Sequence, residues 1–505
     1  MRPALWRPSR AAFYSLVAAV VLALAAAAGV RQLGSGGISV PPQVRGGGAT
    51  TEANPEAAEQ GEKVQQKHEA FEKAVREGKA GKPVTVNAAP AAGWAGEALV
   101  DPASDDWEPA IAADPNSQYV YFLTTRYAST KPCPGNCPTP YMALYISANN
   151  GTTWSSGKPL CACKGSGQFD PIIEVVPGTA GPAAGAVYAL YMNGFNVMFI
   201  KSTDHGDHWS APVKTYGNVS WNDKPVIAVS DDGKDVYVSF NGPTGGDPYV
   251  AQSHDYGATW TQTKLVDSNR YYFAFDADVA SDSNGTVYFA ETSILYGGGG
   301  NKGTTPTGQI DEHVFVSTDK GAHWLDRPVA SVWPGLACVS AGCPPDYYLG
   351  HTALTVDASN RVVLLYDGAT SAGGPQTITA RTSTNQGQSW SAPVTISTVG
   401  SEAVDPAVEA RGSGDFRAWY MQTTGTDVDT WNVYYRTSTD GTSWSSPVRI
   451  SDATSGAAYK TANGFAEPYG DYGEIAVTSA GKTIAIWGEG TSYNGPGGVW
   501  FNRQP

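Results

Sequence analysis

Residues 202–209 read Ser-Thr-Asp-His-Gly-Asp-His-Trp, and this segment decides the fold because it recurs along the chain. Four further copies share the pattern Ser-x-Asp/Asn-x-Gly-x-x-Trp and a sixth is one residue shorter: SANNGTTW at 147–154, SHDYGATW at 253–260, STDKGAHW at 317–324, STNQGQSW at 383–390 and STDGTSW at 438–444. The Asp or Asn side chain can accept hydrogen bonds from its own turn, glycine tolerates a left-handed backbone, and the tryptophan can pack between neighbouring sheets. The six copies therefore predict six structural hairpin turns, none of them catalytic.

A second element precedes these turns and consists of a short apolar strand, a turn and an aromatic-rich strand. Its seven copies begin at Glu108, Asp170, Lys224, Asp276, His351, Asp405 and Tyr472. Each unit thus supplies two strands, a third that leads into the turn and a fourth that leaves it. Four antiparallel strands form one propeller blade, so the repeats predict an all-β, seven-bladed β-propeller. A six-bladed ring with one irregular unit is the alternative.

The seventh unit ends in GGVWFNRQP at 497–505 and lacks a fourth strand. Residues 82–88 (KPVTVNA) resemble fourth strands elsewhere, such as APVTIS at 392–397. We expect residues 82–88 to complete the last blade, because ring closure removes the open sheet edges that favour aggregation. The propeller is therefore predicted to span residues 82–505.

The first 81 residues differ in kind from the repeats. Three arginines within the first ten residues precede an apolar run at 11–30, a pattern typical of export. The run is long enough to span a bilayer, so a cleaved signal peptide and an uncleaved anchor both stay open. Residues 31–81 are predicted to be a linker, disordered at first and helical over 56–80. We expect the propeller to be secreted or membrane-anchored, outside the cytoplasm, with membrane contact only through residues 11–30.

The six cysteines fit an exported protein. They are Cys133, Cys137, Cys161, Cys163, Cys338 and Cys343, and an even number outside the cytoplasm indicates disulfides. We expect Cys338 to pair with Cys343. Cys161 and Cys163 are too close in sequence to pair without strain, so we expect them to bond with Cys133 and Cys137 in an unspecified order. A metal site made from these four thiols is the alternative.

The overall charge limits the partners of the protein. The net charge is -14 and only 16% of residues are charged. An acidic surface argues against nucleic acid and anionic lipid as partners.

Six such turns on four-stranded repeats resemble the BNR/Asp-box proteins of the sialidase superfamily, over about residues 82–505. The resemblance implies a propeller that acts on extracellular glycans, possessing a sialidase-type exo-glycosidase activity. In that family three arginines hold the substrate carboxylate, a tyrosine paired with a glutamate is the nucleophile, and an aspartate is the acid/base. This chain has no clear set of three such arginines, and Arg126 and Arg411 are the nearest candidates. A non-catalytic propeller that binds a glycan or a cell-surface protein is the alternative.

Candidate site residues follow from the starts of the first strands, which should meet at one mouth of the central channel. The predicted ligand-binding residues are Glu108, Asp276, His351, Asp405, Asp471, Trp107, Arg126 and Arg411. Tyr472 or Tyr469 with Glu467 is the predicted nucleophile pair, and Asp170 or Asp223 the predicted acid/base. Asp276 and Asp278 are the candidates for a calcium site, and we expect no other cofactor.

Overall fold

The computed structural model describes residues 69, 71–78, 89–131, 133, 135–161, 166–219, 221–242, 246–280, 285–295, 308–335, 350–423, 430–454, 456–457, 473–490 and 497–505. Within these ranges, 28 strands form seven four-stranded sheets with antiparallel pairing. The predicted seven-bladed propeller is confirmed, and the six-bladed alternative is wrong.

Blades 1 to 3 follow one another along the chain, and in each the strands pair in sequence order. Blade 1 contains β2 (Ser104–Ala113), β3 (Val120–Ser129), β4 (Tyr141–Ser147) and β5 (Lys158–Pro159). Blade 2 contains β6 (Gln168–Val175), β7 (Val187–Asn193), β8 (Val197–Ser202) and β9 (Val213–Lys214). Blade 3 contains β10 (Asp223–Val229), β11 (Val236–Gly242), β12 (Asp247–Ser253) and β13 (Thr261–Lys264).

Blades 4 to 6 repeat the same order. Blade 4 contains β14 (Tyr271–Val279), β15 (Val287–Ile294), β16 (Ile310–Ser317) and β17 (Leu325–Val332). Blade 5 contains β18 (Thr352–Val356), β19 (Val362–Ala369), β20 (Gln376–Ser383) and β21 (Val394–Thr395). Blade 6 contains β22 (Ala403–Ala410), β23 (Phe416–Thr423), β24 (Trp431–Ser438) and β25 (Val448–Arg449).

Blade 7 joins the two ends of the chain. It contains β26 (Glu474–Val477), β27 (Thr483–Gly490), β28 (Gly497–Arg503) and, as its fourth strand, β1 (Ala98–Leu99). An N-terminal segment therefore closes the ring, as expected, but the segment is Ala98–Leu99 and not residues 82–88. The latter lie outside the described residues.

The first strands of the blades form the inner ring, because each contacts the first strand of the next blade and that of blade 7 contacts that of blade 1. Seven hydrophobic clusters lie between the blades, one at each interface. The cluster between blades 7 and 1, for example, buries Phe122 against Ile484 and Ile486. Burial of apolar side chains between successive sheets, rather than one central core, thus stabilises the fold.

The six repeated turns all form the same hydrogen bonds. In the copy at 202–209, the Ser202 hydroxyl accepts from the Gly206 N–H at 2.9 Å, and the Asp204 carboxylate accepts from the His208 N–H at 2.9 Å. His205 and Gly206 both have a left-handed backbone, with φ of 59° and 82°. The turn is therefore locked by its own side chains, and the prediction of a structural role agrees with its geometry.

The predicted disulfide pairing is wrong at one point. Cys133 bonds to Cys137, with 6.3 Å between their Cα atoms, so neither pairs with Cys161 or Cys163. Cys161 is itself in a disulfide. Cys163, Cys338 and Cys343 lie outside the described residues.

N-terminal to the ring, residues 71–76 are helical, and Phe71 and Ala74 are buried. Among the described residues, no helix has the length and apolar character needed to cross a membrane. The domain boundaries, the signal segment at 1–30 and the linker at 31–81 stay predictions.

Candidate functional site

Four first strands contain the same backbone distortion. Glu108, Asp170, Lys224 and Asp405 each precede a proline and have φ between 48° and 52°. Each lies where the register with the second strand shifts. A non-glycine residue in the left-handed region costs about 1–3 kcal/mol, and the residue before proline normally prefers an extended backbone. Backbone strain of this kind is concentrated at functional sites, so its repetition in four blades indicates that this mouth of the channel is a candidate functional site.

At blades 1 to 3, charged side chains of this mouth contact one another. The Glu108 carboxylate accepts hydrogen bonds from the Thr125 hydroxyl at 2.5 Å and from the Asp170 N–H at 3.3 Å. The Lys224 ammonium lies 4.0 Å from the Asp170 carboxylate. Glu108, Asp170 and Asp223 are all buried, so in this structure they connect the blades. The predicted acid/base role of Asp170 or Asp223 stays a prediction.

The two candidate arginines lie in different places. Arg126 is buried and forms ion pairs with Asp106 at 2.7 Å and Asp101 at 3.3 Å, and its guanidinium also bonds to the Tyr145 hydroxyl. Its charge is thus neutralised within the protein. Arg411 follows the last residue of β22, at the opposite end of the first strand from Asp405, and donates to the Ser479 carbonyl at 3.1 Å. The structure does not bring the two arginines together.

The other predicted residues divide into two groups. The Trp107 indole donates to the Asp105 carboxylate at 2.7 Å and is buried in a cluster that contains residues of blades 1, 2 and 3. Ligand binding by Trp107 stays a prediction. The segment with the predicted nucleophile pair lies outside the described residues: Glu467, Tyr469, Asp471 and Tyr472.

At blades 5 and 6, three buried side chains converge. The Nδ1 atom of His351 lies 3.2 Å from Oδ2 of Asp367 and 3.1 Å from Oδ1 of Asp405. The Asp367 carboxylate also accepts from the His351 N–H, the Asp405 N–H and the Gln376 amide, each at 3.0–3.1 Å. His351 and Asp405 were predicted from the strand starts. Asp367 was missed, because it lies at the end of a second strand.

The central channel contains a cavity of about 390 Å³, a volume in the range of small-molecule sites. Its lining contains Arg411 and seven carboxyl side chains: Asp405 of the mouth, Asp231, and five further acids from four blades, namely Glu174, Asp276, Asp278, Glu409 and Glu474. Glu174 and Glu409 were missed by the sequence analysis. Each is the fourth residue after a strained strand start, in DPIIE and DPAVE, and a charge inside an apolar strand was the available signal.

Three of these acids also connect neighbouring first strands. The Asp276 carboxylate accepts from the Leu354 N–H and that of Asp278 from the Val356 N–H, both at 2.7 Å. Glu474 accepts from the Ile111 N–H at 2.6 Å. Among the described residues, Glu174 and Glu409 accept no such bond from another blade. A calcium site at Asp276 and Asp278 stays a prediction, and each already uses one oxygen on blade 5.

The channel favours the protonated form of these acids. Burial raises the pKa of Glu174 to about 7 and that of Asp278 to about 6. Burial, reinforced by the nearby carboxylates of Asp278 and Glu174, raises the pKa of Glu409 well above its usual value. The pKa values of Asp276 and Glu474 are raised in the same direction by burial. The channel therefore holds both protonated and ionised carboxyl groups near neutral pH.

No family model matches the chain, and no curated protein does. Solved structures match it in fold. An ulvan lyase from a new family of polysaccharide lyases is 12% identical with a TM-score of 0.46, over 79% of this chain and 93% of that chain. A protein of unknown function from Dyadobacter fermentans is 12% identical with a TM-score of 0.45, over 81% and 98%. The intramolecular trans-sialidase from Ruminococcus gnavus is 11% identical with a TM-score of 0.40, over 79% and 94%.

At such low identities and TM-scores, the likeness is one of fold and carries no argument about function. The function is argued below from the channel and its mouth.

Proposed function

We propose that this protein acts on extracellular glycans by hydrolysing a glycosidic bond of a neutral sugar in the central channel. The observation that carries this proposal is the set of carboxyl groups lining one cavity, where burial raises the pKa of Glu174 to about 7 and that of Glu409 well above its usual value. A general acid must be protonated at the working pH, and raised pKa values are how enzymes achieve this with Glu or Asp.

The channel offers both carboxyl groups that glycoside hydrolysis requires. One must protonate the leaving oxygen, and the other must act as an ionised base or nucleophile. Glu409, whose pKa is raised well above its usual value by burial and then by neighbouring carboxylates, is the proposed acid. Asp278, with a pKa of about 6, is mainly ionised at pH 7 and is the proposed carboxylate. The pKa of Glu174 is about 7, so this residue can be either protonated or ionised at neutral pH.

A neutral sugar fits this channel better than sialic acid. The lining contains seven carboxyl side chains and one guanidinium, that of Arg411, so its ionised carboxylates repel an anionic substrate. Arg126, the nearest arginine of the mouth, is already paired with Asp106 and Asp101. The sialidase-type activity implied by the resemblance is therefore the less supported form of the proposal.

The location outside the cytoplasm is part of the same proposal. The basic and apolar segment at 2–30 supports export. The disulfide between Cys133 and Cys137 supports an oxidising compartment.

A second candidate function is glycan binding without cleavage. The observation in its favour is that Asp276, Asp278 and Glu474 each accept a hydrogen bond from the backbone of the next blade. Carboxyl groups used in this way stabilise the ring. The remaining carboxyl groups can accept hydrogen bonds from sugar hydroxyls without catalysing a reaction.

The test is a screen of the full chain against fluorogenic glycosides of neutral hexoses, pentoses and sialic acid, together with a glycan array. For any neutral glycoside that is hydrolysed, we expect Glu409→Gln to lower kcat by at least about 100-fold, the typical minimum for losing a general acid. Glu291→Gln is the matched control, because Glu291 is buried with a pKa of about 8 but bonds to Ser239 outside the channel.

Three results would decide between the candidates. Hydrolysis that Glu409→Gln abolishes and Glu291→Gln leaves intact supports the enzyme. Binding on the array without hydrolysis, weakened by Glu409→Gln, supports the second candidate. Neither hydrolysis nor binding of any glycan would overturn both.

A further inference from the structure

We propose that His351, Asp367 and Asp405 bind one divalent transition-metal ion of the Zn²⁺ or Mn²⁺ type at the boundary of blades 4, 5 and 6. The proposal concerns this cluster at the mouth, and it does not depend on hydrolysis in the channel. It begins from the donor set, an imidazole nitrogen and two carboxylates, which suits these metals better than Ca²⁺, whose ligands are oxygens.

The spacing of the donor atoms fits a shared ion. The atoms that the three residues offer lie within 4.8 Å of one another. The two measured separations from the imidazole Nδ1 are 3.2 Å to Asp367 and 3.1 Å to Asp405. Ligands about 2.0–2.2 Å from a metal lie roughly 2.8–3.6 Å apart when adjacent in octahedral or tetrahedral geometry.

The charge balance of the cluster also points to a cation. All three side chains are buried, and Asp367 is fully inaccessible. One Nδ1 hydrogen points at one acceptor, whereas two carboxylates lie at nearly equal distances from that nitrogen. A cation bound between the two carboxylates would interact with both of them at once.

An independent observation comes from blade 4. Glu312 is fully buried, and its Oε2 accepts from the Thr292 hydroxyl at 2.6 Å. Among the residues that the structure describes, none forms a hydrogen bond with its Oε1. That oxygen lies beside Gly350, which directly precedes His351, since a Cβ built on Gly350 would be 2.8 Å from it. Glu312 also interacts electrostatically with His351 and Asp367.

Glu312 therefore supplies a buried, unused oxygen next to the cluster. Unpaired buried carboxylate oxygens are rare in proteins and call for a ligand. We assign Glu312 as the acceptor of a water bound to that ion. The Gln376 amide, which donates to Asp367 at 3.0 Å, orients one of the ligands.

The experiment begins with the full chain stripped by a chelator and dialysed against Zn²⁺, Mn²⁺ or Ca²⁺ separately. We expect about one equivalent of Zn²⁺ or Mn²⁺ by elemental analysis, with a rise in Tm that grows with metal concentration. His351→Gln and Asp405→Asn should each remove that equivalent. His313→Gln is the matched control, because His313 is also buried and lies 2.8 Å from one carboxylate, that of Asp326.

A second measurement does not depend on variants that fold. Pulsed electron paramagnetic resonance on the Mn²⁺-loaded native protein should show coupling to a single imidazole nitrogen. Binding of Ca²⁺ alone, no stoichiometric metal, absence of nitrogen coupling, or an equal loss of metal in His313→Gln would each overturn the proposal.

Discussion

The carboxyl group of Glu474 accepts a 2.6 Å hydrogen bond from the backbone N–H of Ile111, although the two residues are 363 positions apart in the chain. Glu474 begins the first strand of blade 7, and Ile111 lies in the first strand of blade 1. The last blade is thus bonded to the first at the inner ring. At the outer edge of the last blade, β1 pairs with β28 and joins the N-terminal segment to the same blade.

Glu474→Ala should lower the free energy of unfolding by about 1–3 kcal/mol, because the buried Ile111 N–H loses its acceptor. Glu474→Gln should retain most of the stability, since an amide oxygen can still accept and the raised pKa of Glu474 favours its neutral form anyway. Denaturant unfolding of both variants checks this. Equal losses in the two variants would contradict the assigned bond.

The stability of the protein should fall as the pH rises from about 5 to 8. An acid with a raised pKa in the folded state binds more protons when folded than when unfolded, so stability decreases between the unfolded and the folded pKa values. For Glu174 that window runs from about 4.5 to about 7. Thermal unfolding at several pH values should show the fall, and Glu174→Gln should reduce it. A Tm that rises over this range would show that the channel acids are ionised.

Gly257→Ala should destabilise the protein by about 2–5 kcal/mol. The glycine has φ of 77°, and an added Cβ would lie 2.2 Å from the Phe199 ring in the preceding blade. Left-handed strain contributes about 1–2 kcal/mol and overpacking about 1–3 kcal/mol. Gly400→Ala is the control, because its φ is 90° but nothing lies within 4 Å. Equal effects of the two substitutions, measured by urea unfolding, would show that the contact with Phe199 is unimportant.

A chain that begins at residue 100 should be less stable and should self-associate. It lacks β1, and β28 then becomes an open edge. It also lacks Trp94, which is buried between blades 6 and 7. A chain that begins at residue 89 should keep its Tm and remain dispersed by light scattering. If the chain from residue 89 loses stability as well, the segment before residue 89, which includes the buried Phe71 and Ala74, contributes more than the closing strand alone explains.

The repeats predicted the blades because the turn pattern is local, and its hydrogen bonds join residues at most four positions apart. The closure of the ring by an N-terminal strand was predicted, but the strand was placed at the wrong residues. Residues 82–88 have the β-branched pattern of a strand, whereas Ala98–Leu99 is only two residues long and has no such signature. Pairing with β28 across the whole chain, and not local propensity, selects it.

The site was predicted only in part for a related reason. His351 and Asp405 were found because both start first strands, and such positions recur in the sequence. Asp367 and Glu312 lie on second and third strands, so only the tertiary fold brings them close to His351. The disulfide was mispredicted because Cys133 and Cys137 were assigned as partners of Cys161 and Cys163, although they lie only four positions apart and pair with each other.

The short strand β1 has a consequence for engineering the molecule. The Ala95 N–H donates to the Arg503 carbonyl at 2.9 Å, so the start and the finish of the ring lie side by side. A brief linker from Pro505 to residue 89 would make the covalent loop continuous, and a cut in the segment between β13 and β14 would give new termini without removing a strand. Such a circular permutant should still assemble all seven blades, with the order of synthesis changed and the architecture preserved.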